Sequence, residues 1–390
     1  MVRLLLKPGI ERRLKNVYLW IFNNQIERVE DLQNNGDLVE IISSKGRPVG
    51  IGYFNRHSLI AVRVLSFQSE TIDQAFFHQR ISRAIERRAR LSPNATSGRI
   101  VFSEADLLPG LIVDRFGPYL SVQLLTLGME RLWPIIEPVL VELLRPEAIV
   151  LRNDSPARER EGLDRKVEIA HGEVPDVVEI DEYGLKFGVD MRGGQKTGFF
   201  FDQRDNRRIC RNLAANGRVL DCFSYTGGFA LNAARGGAVS VLAVDESDEA
   251  LQLLERNAAR NNLDGITTRR ADCFVLLREL QKSGERFDLI ILDPPAFVKS
   301  KEKLREAVRG YKEINLSAMK LLSPGGILIS CSCSYQLSPV EFLNMITSAA
   351  RDARRLCHLR EFTTQAPDHP VLLTMPETQY LKCAVLEMID

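Results

Sequence analysis

From Gly194 onward the chain alternates short apolar segments with helical patterns, and this alternation constrains the fold more than any other feature. Strands are predicted at 218–221, 240–244, 267–271, 289–292 and 326–331, with helices at 205–214, 229–234, 247–261, 273–283 and 314–322. Apolar strands without polar alternation must be covered on both faces. Helices between successive strands supply that cover and impose a mostly parallel sheet. The expected class is therefore α/β. Ligands of such open sheets collect beyond the carboxyl ends of the strands. Four of the five strands run out into an acid there: Asp221, Asp245, Asp272 and Asp293.

The chain of 390 residues is long enough for two or three domains. Residues 1–70 read as a β-rich module with two strands around a Lys45–Gly46 turn, carrying ten basic and seven acidic residues. Residues 71–190 read as a central α+β region. It holds a helix at 71–91 with Arg83, Arg87 and Arg88 on its polar side, and two strands around Phe116–Gly117–Pro118. A helix at 129–144, a strand at 148–152 and a pair within 177–189 complete it. The third region is 191–390, closed by an antiparallel pair from 367–375 and 380–388. Fifty-two Lys and Arg balance 51 Asp and Glu, so any nucleic-acid surface must come from local clustering. Seven cysteines are too sparse for a disulfide scaffold, and a cytoplasmic location is expected. No stretch approaches the ~20 apolar residues of a membrane span.

The first strand continues as DCFSYTGGFAL. Asp221 closes it, and Gly227 and Gly228 lie where the chain turns into a helix. Glycines there permit positive φ and are expected to clear space for a ligand. The spacing matches neither the GxGxxG dinucleotide fingerprint nor the GxxxxGK[ST] phosphate loop. Asp245 can accept two hydrogen bonds from ribose hydroxyls. A helix cap is the plainer alternative, although Ser247 can cap while Asp245 binds. Asp272 repeats the pattern, and the series suggests a nucleoside-bearing ligand laid across successive strand ends.

The fourth strand reads FDLIILDPPAFVKS. Pro294 and Pro295 fix φ and remove two backbone donors, leaving a stiff tip at Asp293 that can hold a planar base. The fifth ends as GGILISCSCSYQL, where Cys331 and Cys333 share a face if the strand persists that far. Cys331, nearer the apolar run, reads as buried and inert. Cys333, among Ser332, Ser334 and Tyr335, reads as exposed and is the candidate nucleophile. A zinc site needs two more ligands; Cys357, His358, His369 and Cys383 lack the spacing, so no metal is expected.

These segments together resemble the bacterial ribosomal RNA large subunit methyltransferase I family. The strings GQKTGFFFDQRDNRR, DCFSYTGGFAL, AVDES, LDPPAF, RGYKEINLSAMKLL, SCS and DHPVLLTMPETQYLK carry the resemblance, with LLPGLIVDRFG and the LWIF segment upstream. It covers essentially the whole chain. It implies an N-terminal PUA-type RNA-binding β-barrel, a small central α+β domain and a C-terminal Rossmann-like class I methyltransferase. It implies S-adenosylmethionine as cofactor and 5-methylcytidine formation in 23S ribosomal RNA, free or in a large-subunit assembly intermediate. By the same resemblance Asp245 and Asp272 hold the ribose and adenine region. Phe223, Ser224, Thr226, Gly227 and Gly228 lie in the segment that wraps the methionine part, and Asp221 and Asp293 border it. Lys196 and Thr197 belong to the string that helps close the pocket, and Cys333 falls on the nucleophile position. Ala296 departs from the cysteine that many RNA 5-methylcytidine enzymes carry after Asp-Pro-Pro, which leaves the acceptor of the C5 proton open.

The chemistry needs a cysteine because thiolate attack at C6 breaks aromaticity and builds electron density at C5. The base must also leave its stack. Competing readings are a 5-methyluridine or N6-adenine methyltransferase, and a non-catalytic RNA-binding factor that keeps the cofactor fold. Two basic clusters suggest phosphate contact: Lys299, Lys301, Lys303, Arg305, Arg309 and Lys312, and Arg351, Arg354, Arg355 and Arg360. The sequence leaves the oligomeric state open, with a homodimer as one option.

Overall fold

The computed structural model describes residues 2–30, 34–297 and 304–390. The chain divides into two compact units. The first comprises Met1–Ile180, Val189–Phe201 and Pro367–Thr378, and the second Asp181–Gly188, Asp202–Ala366 and Gln379–Asp390.

The first unit contains a six-stranded sheet and a five-stranded sheet. In the former, Leu38–Ile42 and Pro48–Phe54 form the expected hairpin, with Leu38 opposite Tyr53 and Gly46 at φ 75° in the turn. Leu4, Ile21, Val39, Ile41, Val62 and Val64 fill its core. Helices Gln74–Leu91 and Leu127–Leu144 share a core with the five-stranded sheet through Phe77, Ile81, Ile136, Val113 and Val122. Arg88 departs from its expected place on the polar side of its helix. It is buried and forks onto Asp106 at 2.6 and 2.7 Å. A buried guanidinium persists only with such pairing. Strand Lys166–Gly172 was not anticipated, because its residues are mostly exposed and show no apolar run.

Elements of the second unit are numbered from its own start. Its strands are β1 (Arg218–Cys222), β2 (Ser240–Asp245), β3 (Ile266–Arg270), β4 (Phe287–Leu292), β5 (Leu322–Ser332), β6 (Cys357–Thr363) and β7 (Lys382–Met388). Its helices are α1 (Arg204–Leu213), α2 (Gly228–Arg235), α3 (Asp248–Arg260), α4 (Cys273–Lys282), α5 (Leu304–Leu321) and α6 (Pro339–Ala353). The sheet order is β3-β2-β1-β4-β5-β7-β6. The first five strands are parallel, and β7 runs antiparallel to both β5 and β6. The winding reverses beside β1, between β2 and β4, and a crevice opens at the carboxyl ends there. Leu220, Val244, Ile290 and Leu328 meet Leu277, Tyr311, Ile314 and Phe342 in one continuous core.

Three features differ from the sequence reading. The partner of β7 is β6, not 367–375, which contributes only an isolated Leu372–Met375 bridge and belongs to the first unit. Helix α5 starts ten residues before the predicted 314, and α6 was missed altogether. Yet α6 opens with a capping box from Ser338 and Glu341, a signal present in the sequence.

Candidate active site

The loop after β1 is held in a costly conformation. Phe223 and Tyr225 adopt φ 64° and 48°, and Gly227 adopts φ 92°. Each left-handed non-glycine residue costs roughly 1–2 kcal/mol. The loop is pinned by Ser224 N–H to Val244 O at 2.9 Å and Tyr225 N–H to Asp245 Oδ2 at 2.9 Å. Side-chain packing also bears on Gly227 and Gly228. A Cβ on Gly227 would stand 2.5 Å from Leu231 and 2.6 Å from Leu254, and one on Gly228 would stand 2.9 Å from Arg207. Packing against these side chains, together with the positive φ of Gly227, disfavours a Cβ at both positions. The buried Thr226 gives its carbonyl to Asn257 Nδ2 at 3.1 Å.

The acids are held differently. Asp221 is fully buried, and neither carboxylate oxygen has a hydrogen-bond partner; the Ala230 N–H faces it short of bonding geometry. Burial pushes its carboxyl well above the usual range, and the Asp293 and Asp245 charges add to the effect. Ser224 Oγ is a second buried polar atom without a partner. Asp245 accepts from the Tyr225 and Ser247 amides at 2.9 and 3.0 Å, one on each oxygen, which fixes its plane and leaves further lone pairs. Ser247 itself caps α3 by accepting from Ala250 N–H at 3.1 Å. Asp272 is exposed and caps α4, with Oδ1 accepting from Phe274 and Val275 at 2.7 and 3.1 Å. An orphaned carboxyl, an orphaned hydroxyl and an oriented acid at consecutive strand ends suit a ligand with a cationic amino acid end and a ribose.

At the β4 tip, Asp293 Oδ1 accepts from Gln203 Nε2 at 2.8 Å. Gln203 is in turn fixed by Asn206 at 2.6 Å, and Asn206 by Thr363 at 2.6 Å. Phe297 stacks with Tyr311, Phe274 and Phe223 at centroid distances of 4.6, 5.7 and 6.4 Å. Strand β5 ends at Ser332, so the shared-face argument for the two cysteines fails. Cys331 is sealed, opposite Cys383 on β7, and its thiol is pushed up by a hydrogen bond to Cys383 and by burial. Cys333, one residue past the strand, is half-buried. Beside it Ser334 Oγ meets Tyr311 Oη at 2.8 Å, and Ser334 O accepts from Lys382 Nζ at 2.6 Å.

Lys196 and Thr197 belong to the first unit. Thr197 Oγ1 donates to the buried Asp114 at 2.6 Å, which also receives a fork from Arg99, and Lys196 Nζ stands 4.6 Å over the Phe200 ring. Lys299, Lys301 and Lys303 lie outside the described residues, while Arg305 and Arg309 are exposed on α5. The second basic cluster is partly committed. Arg355 binds Met319 O, Leu322 O and Asp390, and Arg360 pairs with Glu387 at 3.5 Å. Gln203, Tyr311 and Lys382 sat inside the matched strings without being singled out; a lysine opening an apolar strand was the available signal for Lys382.

A family model described as S-adenosylmethionine-dependent methyltransferase matches residues 155–378, and one described as PUA-like domain matches residues 4–67. A protein named ribosomal RNA large subunit methyltransferase I from Aeromonas salmonicida is 42% identical over 98% of both chains. The chain belongs to this methyltransferase family. A namesake from Klebsiella pneumoniae is 42% identical over 97% of this chain and 96% of its own. The fold is that of a candidate S-adenosylmethionine-dependent methyltransferase solved from Streptococcus mutans, at TM-score 0.86 over 99% of this chain and 100% of that one, with 20% identity. The family's cofactor is S-adenosylmethionine, and the orphaned Asp221 and Ser224 with the oriented Asp245 fit it. Among the described residues no helix is long and apolar enough to cross a membrane, and no three His, Cys, Asp or Glu side chains group as metal ligands.

Proposed function

We propose that the protein methylates C5 of a cytidine in 23S ribosomal RNA, free or within a large-subunit assembly intermediate. The observation that carries this reading is Cys333, half-buried just past β5, while its neighbour Cys331 is sealed. The names of the relatives supply the ribosomal substrate. Residues 1–70 bind RNA, 71–190 form a small intervening domain and 191–390 carry the chemistry.

Bound S-adenosylmethionine supplies a methyl electrophile. Asp245 accepts its ribose hydroxyls, Asp272 borders the adenine, and Asp221 with Ser224 receives the methionine ammonium. Lys196, Thr197, Phe223, Thr226, Gly227 and Gly228 complete the binding segments. The Cys333 thiolate adds to C6 of the flipped cytosine, and the enamine electrons make C5 nucleophilic. Asp293, held by Gln203, hydrogen bonds to the N3–N4 edge and, with one partner protonated, supports the negative charge that develops there. Once C5 carries the methyl group, its proton passes to water, the electron pair of the C5–H bond re-forms the C5–C6 double bond, and the thiolate leaves from C6.

The test is RNA containing 5-fluorocytidine, whose C5 fluorine cannot leave as a proton. Wild-type enzyme should form a covalent adduct that maps to Cys333. Cys333→Ala should fold and bind cofactor without methyl transfer, and Cys331→Ala should keep activity. An adduct on Cys331 overturns the assignment. Methylation surviving in Cys333→Ala without any adduct favours transfer to an amino group instead.

A further inference from the structure

Lys382 opens β7 opposite Ser332 of β5 and is 2% exposed. Lysine is almost never buried this deeply without a paired charge. Its Nζ donates to Ser334 O at 2.6 Å and Tyr380 O at 2.8 Å, and no carboxylate pairs with it among the described residues. Carbonyl dipoles orient an ammonium but do not neutralise it, and a buried charge without a counter-charge costs several kcal/mol. Exposure this low also rules out an RNA phosphate as the partner.

The surrounding groups narrow the choice. From α5 the Tyr311 phenol reaches Ser334, and burial pushes it up, so it stays neutral. Asp202 is taken by Tyr380 Oη at 2.5 Å, and Asp293 by Gln203 at 2.8 Å. The Cys331 thiol stays protonated against Cys383. That leaves Cys333, adjacent to the residue whose carbonyl Lys382 holds. Burial lowers Lys382 to about 8, and the Cys333 charge is the one that works against that drop. The same charge is felt at Tyr311.

We propose that the Lys382 ammonium is the counter-charge of a Cys333 thiolate, a positioning residue that keeps the nucleophile ionised before RNA arrives. Two of its three N–H groups are spent on carbonyls, and one remains to meet sulfur. The thiol proton goes to water, and the ion pair replaces two isolated buried charges with one neutral pair. When the thiolate adds to C6 its charge moves into the base and the ammonium is left behind. Expulsion of the thiolate at the end of the cycle restores the pair. The inference rests on Cys333 being the nucleophile, but its test does not need methyl transfer.

The experiment measures iodoacetamide alkylation of Cys333 between pH 6 and 10, followed by peptide mass spectrometry and normalised to the plateau at high pH. Wild-type and Lys382→Arg should remain reactive at pH 7. Lys382→Met should react about tenfold or more slowly at pH 7 and converge with wild type at high pH, since an adjacent cation lowers a thiol by about one unit or more. A packing role alone would not move the pH profile. Unchanged profiles in folded Lys382→Met overturn the proposal. If that variant does not fold, wild type still decides through Cys357, the other half-buried cysteine, which burial pushes up. Cys333 should retain at least tenfold more of its plateau rate at pH 7 than Cys357 does; equal fractions overturn the proposal. If the Lys382-dependent shift holds while Cys333→Ala still methylates RNA, the ion pair stands and the nucleophile assignment fails.

Discussion

Replacing Asp221 by asparagine should stabilise the free protein and weaken its cofactor binding. Asp221 is 0% exposed and neither oxygen has a hydrogen-bond partner. Leaving a buried polar group unpaired costs about 1–3 kcal/mol, and more when it is charged. Asparagine keeps the shape but cannot ionise, so Asp221→Asn should recover about 1–3 kcal/mol at pH 7. For a unit of this size that is a rise of roughly 2–10 °C in Tm. The pH dependence fixes the cause. The folded carboxyl lies well above its ordinary value of 3.8, so the native state holds the proton more tightly than the unfolded chain. Stability from this group is fully present below about 3.8 and is lost as pH rises through the folded value. The advantage of Asp221→Asn should therefore be large at pH 7.5 and shrink toward pH 4.5 in urea titrations. Calorimetry should show S-adenosylmethionine binding about 10- to 100-fold weaker, the loss of one charge-assisted hydrogen bond. A variant less stable than wild type by the same margin at both pH values refutes the buried-charge argument. Unchanged affinity refutes the role at the methionine end.

Three further outcomes are expected. Asp245→Ala should weaken S-adenosylmethionine about 10- to 100-fold by calorimetry, and lower Tm because the Tyr225 and Ser247 amides lose their acceptor. Gln203→Leu should lower kcat about tenfold with cofactor affinity unchanged, since the 2.8 Å bond that aims Asp293 is removed together with the 2.6 Å bond from Asn206. The Cys210, Cys222 and Cys331 thiols are pushed well above 9.0, by burial at Cys210 and by thiol hydrogen bonds with burial at the other two. The unfolded chain then binds fewer protons above pH 9, so the urea midpoint should fall between pH 8.5 and 10.5, with Cys210→Ala flattening the slope. Lys382, lowered to about 8, opposes this between about 8 and 10.5, but as one group against three.

What the sequence discloses is set by how local the cause is. Strands β1, β2, β4 and β5 are readable because burial dictates an apolar run at each, and Asp221, Asp245 and Asp293 stand where the first three of these runs stop; β3, ITTRR, is mostly exposed and is marked only by its β-branched residues. Strand β6 is not readable, because its burial is mixed and its place is fixed by pairing with β7 rather than by its own pattern. The 367–375 segment misleads for the converse reason: its apolar residues serve the first unit, where Met375 joins the core of the six-stranded sheet. Gly227 and Gly228 advertise a tight turn, but the atoms that forbid a Cβ are Leu231 and Leu254 for one and Arg207 for the other. Position alone therefore marks the turn, while the packing around it depends on the fold.

The reacting half of the site shows the same division more sharply. The difference in burial between Cys333 and Cys331 was legible from the polar residues around Cys333, although the strand stops one residue earlier than a shared face requires. The groups at this end of the sheet were not legible, because they arrive from three distant segments: Tyr311 on α5 and Lys382 on β7 meet Ser334, next to Cys333, and Gln203, just before α1, meets Asp293. Each is ordinary in its own stretch of sequence and becomes informative only through its partner. A lysine at the start of a strand usually reaches water, so the apolar strand behind Lys382 marks the residue without showing that it is sealed. The antiparallel pairing of β7 with β5 does that, by setting Lys382 opposite Ser332 and bringing its ammonium to the carbonyl of Ser334. The last strand thus closes the edge of the core and also brings a positive charge beside the cysteine, so a register slip of one residue in β7 would turn that lysine to the other face and remove both.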